Sequence, residues 1–155
     1  MSPVTLSRRV LLGAALGAAA TTACAQTPRP APELVVYKSP TCGCCTAWVD
    51  HMRAAGFRAR IIEQSDLTPI RKARGIPDAM ASCHTALIGD YALEGHVPAQ
   101  DVRRLLAERP EAIGLAVPAM PLGSPGMEMP DGRKQPFETL LVMRGGATRV
   151  FAQHG

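Results

Sequence analysis

The sequence predicts an α/β domain with a central mixed sheet and flanking helices, preceded by a short targeting segment. Three observations carry this. Short β-rich runs alternate with helical patterns from Leu34 to Arg109. The pair Gly89-Asp90 separates two strand patterns and marks a hairpin, so part of the sheet is antiparallel. An uncharged run behind two arginines sets the first 25 residues apart from the rest.

That first segment holds Arg8 and Arg9, then an uncharged stretch from Val10 to Ala20, then small residues. It reads as a cleaved export signal over residues 1–25, which places the mature protein in the periplasm. Ser7-Arg8-Arg9-Val10-Leu11-Leu12 resembles a twin-arginine signal. The apolar run is too short and too rich in alanine for a membrane span. Ala23-Cys24-Ala25 supplies small residues for cleavage before Gln26, whereas Thr22-Ala23-Cys24 can be read as a degenerate lipoprotein box that would lipidate Cys24. Thr21, where a bulky aliphatic is wanted, favours simple cleavage. Residues 26–33, with Pro28, Pro30 and Pro32, form a Pro-rich linker, and the domain spans residues 34–155.

Within the domain, Leu34-Val35-Val36-Tyr37-Lys38 predicts a strand. Ser39-Pro40-Thr41 then offers cap and turn residues before a helical pattern from about Cys42 to Ala55, stopped by Gly56. A second strand near Ala59 to Glu63 precedes a helical segment from Asp66 to Arg74, with Asp66 or Thr68 as cap, Pro69 in the first turn and Gly75 as terminator. Thr85 to Ile88 and Tyr91 to His96 form the hairpin. Pro98 opens a helix with Val102, Leu105 and Leu106 on one face, and Pro110 stops it. Residues 114–136 read as a loop rich in Pro, Gly and Met, and two strands are expected near Glu138 to Arg144 and Ala147 to Ala152. Strand, helix, strand, helix, strand, strand, helix is the thioredoxin-like order, with a cysteine motif at its first helix.

Composition narrows the function classes. Lys and Arg total 17 against 13 Asp and Glu, a formal +4, and the charges are interspersed, so no nucleic-acid-binding stripe exists. No glycine-rich phosphate loop and no Ser, His and acid arrangement stands out. Five cysteines are more than packing requires, and Cys42, Cys44 and Cys45 fall within four residues.

Cys42 and Cys45 are a C-x-x-C pair at a helix start, where unpaired N–H groups and the helix dipole favour thiolate. A thiolate is both a redox nucleophile and a soft metal ligand. The third sulfur, Cys44, is superfluous to dithiol chemistry and suits a metal nest. Cys83 lies just before the third strand, a segment that packs beside the first helix in a thioredoxin-like fold. Singly, Cys83 reads as a buried apolar residue and His84 as a core histidine; together at that place they read as ligands. Met120, Met127 and Met129 lie in a loop too rich in Pro and Gly to be helical; thioether with thiolate is the set that selects copper(I), the alternative being gap-filling. Met52, Met80 and Met143 read as core. His96 can either reach the site or cap a turn. His51, seven residues beyond Cys44 on the helix and roughly 10 Å away, reads as a surface residue, and His154 as a mobile terminal one.

Four ordered motifs then carry a resemblance: Ser39 to Cys45, Ala81 to Thr85, Glu94 to Pro98, and Gly114 to Pro118 continuing through Gly123 to Met127. They resemble the CopG-like family of periplasmic copper-resistance, predicted metal-binding proteins, over about residues 34–140. The resemblance implies a thioredoxin-like fold, export, copper as the bound metal, and a multinuclear copper–thiolate cluster with a suspected redox role. It implies Cys42, Cys44, Cys45 and Cys83 as cluster sulfurs, with His84, His96, Met120 and Met127 as supporting groups; Met129 falls outside the pattern. Copper ions and other periplasmic copper-handling proteins are the implied partners. A thiol–disulfide oxidoreductase, in which Cys42 attacks and Cys45 resolves, is the competing reading, and a four-cysteine zinc site a third.

Overall fold

The computed structural model describes residues 32–155. The segment read as an export signal and most of the segment read as a Pro-rich linker lie outside the described residues.

Seven strands form one sheet in the order β2-β1-β3-β4-β5-β6-β7. They are β1 (Leu34–Lys38), β2 (Ala59–Glu63), β3 (His84–Ile88), β4 (Tyr91–Gly95), β5 (Ala112–Val117), β6 (Phe137–Met143) and β7 (Thr148–His154). β1 pairs with β2 and β4 with β5 in parallel; every other pairing is antiparallel, so the sheet is mixed as expected. Helices α1 (Gly43–Ala54), α2 (Thr68–Arg74) and α3 (Ala99–Glu108) flank it.

Alternation along the strands assigns a helix to each face. Leu34 and Val36 of β1 join Ala86, Ile88 and Leu93 under Trp48, Val49 and Met52 of α1 and Val102 and Leu105 of α3. Leu87 and Ala92 face the other way, with Val35 and Tyr37, toward Ile70 of α2 and Met80. Met52 is wholly buried, and Met80 and Met143 are packed against the two cores.

The helix boundaries follow local chemistry. Gly56, at φ +88°, ends α1, and Gly75, at φ +72°, ends α2 in the left-handed conformation that glycine adopts without cost. Pro69 sits in the first turn of α2, but the N-cap is Leu67, not the expected Asp66 or Thr68, and it has no side-chain cap bond; Asp66 Oδ1 instead accepts from the Thr68 N–H at 2.9 Å. The cap of α1 departs from expectation: Cys42 itself, not Ser39 or Thr41, is the N-cap, its sulfur accepting from the Cys45 N–H at 3.3 Å.

The stretch read as a loop from residue 114 begins inside β5. Its Gly114 and the proline that follows at 118 mask the strand pattern. Gly114 is where the β5–β6 register shifts, and no side chain fits there against the Ala92 backbone. Among the described residues no helix is long and apolar enough to cross a membrane.

Candidate metal centre

Register brings the two cysteine segments together. Lys38, the last residue of β1, pairs with His84, the first of β3. The chain therefore leaves β1 for the α1 N-terminus at the level where Cys83 enters β3. Cys44 Sγ lies 3.5 Å from Cys42 Sγ and 3.9 Å from Cys83 Sγ, across a separation of 39 residues. Cys42, Cys44, Cys45 and Cys83 thus form one group of candidate ligands, as the spacing predicts.

The state of those sulfurs corrects one expectation. Cys42 and Cys45 are joined by a disulfide, so they are not the ready thiolates that a helix N-terminus favours; Cys44 and Cys83 are the free thiols. With Cys42 bridged, the S–H in its contact with Cys44 belongs to Cys44. Burial first, and then the neighbouring Cys44, push the Cys83 thiol up to about 12. Cys83 keeps its proton until a cation displaces it.

Two imidazoles complete a second group around the same sulfur. His96, directly after β4, sets Nε2 3.0 Å from Cys83 Sγ. Its Nδ1 lies 2.8 Å from the Pro125 carbonyl, which can only accept, so Nδ1 carries the hydrogen and Nε2 presents a lone pair to the sulfur. His84 places Nδ1 3.4 Å from the same sulfur, its ring 4.3 Å from the Trp48 ring. Burial, His96 and Lys38 hold His84 at about 3, and burial lowers His96 too, so both rings are neutral at pH 7. Neutral imidazole is the form that binds metals. Among the described residues His84 Nε2, the nitrogen turned from Cys83, is buried without a hydrogen-bond partner.

The scaffold of this pair includes residues that sequence reasoning missed. Glu94, wholly buried on β4, accepts from the Ser82 N–H at 2.7 Å and from the Thr85 hydroxyl at 2.6 Å, with Arg71 Nη1 at 3.5 Å. One carboxylate therefore grips the chain on both sides of Cys83-His84. Burial raises its pKa even though these partners oppose the shift. Gly95, at φ +71°, leaves room for Ser82, since a Cβ there would stand 2.6 Å from Ser82 Oγ and 2.5 Å from the Val117 carbonyl. A single glutamate following the apolar run Tyr91-Ala92-Leu93 in a hairpin strand was the available signal.

The methionine loop closes over α1. Gly126 meets the backbone of that helix so closely that a Cβ would lie 2.7 Å from both Cys44 O and Trp48 N. Half-buried Met127 follows at that contact. Met120 is 47% exposed and lines a surface recess with Pro118, Pro136 and Phe137, while the neighbouring Ala119 carbonyl accepts from the Ser82 hydroxyl at 2.6 Å. Two histidines differ from expectation. His51 is half-buried, its Nε2 accepting from the Ala99 N–H at 3.3 Å. His154 is the end of β7, with Nε2 2.9 Å from Asp101 Oδ2 and its ring stacked on Phe137, because strand pairing carries the terminus onto α3. Neither joins the centre.

Sulfur with neutral imidazole suits a soft or borderline cation, and copper falls within that class.

Comparison with known proteins agrees. A family described as "protein of unknown function, DUF411" matches residues 80–127. Two solved structures are similar to the chain. "Copper resistance protein copG, Form 1" has 39% identity and a TM-score of 0.75, over 80% of this chain and 98% of that one. "Form 2" has 38% identity and a TM-score of 0.75, over 81% and 99%. No curated protein sequence matches.

Proposed function

This chain belongs to the family of the copper resistance protein copG, and from that premise we propose that it is an exported copper-binding protein of copper resistance or homeostasis. The observation that carries the proposal is the convergence on Cys83 of three further cysteines and two neutral imidazoles. In this reading residues 1–25 are the export signal and residues 34–155 a thioredoxin-like metal-binding domain acting in the periplasm. Cys42, Cys44, Cys45 and Cys83, once reduced, hold several copper(I) ions by sharing sulfur between metals, with His84 and His96 at one end and Met127 and Met120 on the covering loop. Copper is the cargo; a copper(I)/copper(II) redox step and hand-over to other periplasmic copper-handling proteins extend the same reading.

The disulfide favours a second reading, a thiol–disulfide oxidoreductase in which Cys42 and Cys45 cycle. Anaerobic titration of the reduced protein with copper(I), and separately with zinc, against a strong chelator separates the two. More than one tightly held copper(I) per chain is expected. No tight copper, with disulfide-reductase activity that survives Cys44→Ser, would instead establish the oxidoreductase.

A further inference from the structure

The two groups of candidate ligands overlap at one atom. Cys42, Cys44, Cys45 and Cys83 make the first, and Cys83, His84 and His96 the second. The Cys42–Cys45 disulfide withdraws two sulfurs from the first group and nothing from the second. Cys83 keeps a free thiol, the lone pair of His96 Nε2 faces it at 3.0 Å, and His84 Nδ1 lies at 3.4 Å. The second free thiol, Cys44, waits 3.9 Å from Cys83.

We propose that the disulfide divides the centre into two compartments that fill separately. With the bridge closed, Cys83, His84 and His96 hold a single copper(I) ion; reduction of the bridge opens the sulfur-only compartment to further copper. This rests on the copper reading above and adds to it a metal position that survives oxidation and a gate on the rest.

The chemistry of each compartment differs in kind. Two imidazoles and one thiolate form a compact set whose net charge one copper(I) ion cancels. The sulfur-only set needs Cys42 and Cys45 as thiolates, and a bridged sulfur has no negative charge to offer. The gate is opened by a dithiol. Its two sulfurs lose two electrons and two protons to become a disulfide, and Cys42 and Cys45 gain them as two thiols. Those protons, like that of Cys83, leave when copper binds.

The geometry also explains why the division is clean. Cys42 caps α1 and Cys45 lies in its first turn, whereas Cys83 directly precedes β3, His84 begins it and His96 follows β4. The His96 orientation depends on the Pro125 carbonyl, and the bridge approaches this set at the Cys83 carbonyl, 3.4 Å from Cys45 Sγ. Opening the bridge therefore adds ligands without having to rebuild those already present.

The test compares the full chain in two states, each verified by peptide mapping after alkylation: bridged, with Cys42–Cys45 closed and Cys44 and Cys83 free, and dithiol-reduced. Both are titrated anaerobically with copper(I) against a chelator, with protection of Cys83 from alkylation as the second readout. The bridged state should bind one copper(I) per chain and lose Cys83 alkylation at one equivalent. The reduced state should bind more than one. His96→Gln should abolish the ion of the bridged state and remove one from the reduced state. A bridged state that binds no copper, or as much as the reduced state, overturns this proposal while leaving the copper reading standing. A reduced state that binds none overturns the copper reading itself.

Discussion

His96 Nε2 faces the sulfur of Cys83 at 3.0 Å because its other ring nitrogen is spent on the Pro125 carbonyl at 2.8 Å. The loop that carries Pro125 therefore sets which lone pair the centre sees. That loop is seated on α1 through Gly126, whose backbone takes φ +86° against Cys44 and Trp48.

Gly126→Ala should accordingly damage the centre without touching a ligand. The added Cβ would stand 2.7 Å from Cys44 O and Trp48 N, so the loop must lift and release the His96 Nδ1 bond. Loss of such an orienting partner typically costs 10- to 100-fold in metal affinity. Copper(I) affinity is expected to fall by about that factor, measured by chelator competition. Unchanged affinity would separate His96 from the site.

Glu94→Gln should loosen the Cys83 segment. The carboxylate serves two donors, the Ser82 N–H and the Thr85 hydroxyl, with one oxygen each, and an amide offers only one oxygen. A buried donor left without its acceptor costs about 1–3 kcal/mol, to be read from urea unfolding of the metal-free protein. Copper affinity should drop as well, by up to about 100-fold, because Ser82 and Thr85 bracket the ligand pair. An unfolding curve that matches wild type would rule out the clamp.

Metal-free protein should lose stability as the pH falls below about 6.5. His84 is held neutral in the fold at about 3, so between those two values the unfolded chain takes up a proton that the folded one refuses. Above 6.5 neither state binds it and the effect on stability vanishes. His51, also lowered by burial, adds in the same direction. His84 contributes up to about 1.4 kcal/mol per pH unit across its window, and half-exposed His51 adds less because solvent screens it. Urea titrations at neutral and mildly acidic pH check this, and His84→Gln should flatten the slope.

Much of this protein was legible without coordinates. The alternating runs from Leu34 to Glu108 located β1 to β4 and α1 to α3 within a few residues, because propensity, Gly and Pro punctuation and apolar periodicity all agree there. The convergence of Cys42, Cys44, Cys45 and Cys83 was readable too, since a helix start and a strand start at adjacent levels of one sheet must meet. β5 was hidden because its Gly114 serves a close backbone approach rather than a turn. His154 was misread because a terminus declares nothing about the strand pairing that fastens it.

The sequence by itself determined the fold class and the ligand-bearing segments, since both depend on periodicity and spacing along the chain. Tertiary structure alone decided which sulfurs are bridged, which imidazole nitrogen faces Cys83, and that Glu94 holds the Cys83 segment in place. Those are relations between residues far apart in sequence. They depend on burial, which removes water as a competing partner and leaves each polar atom only the neighbours that the fold supplies.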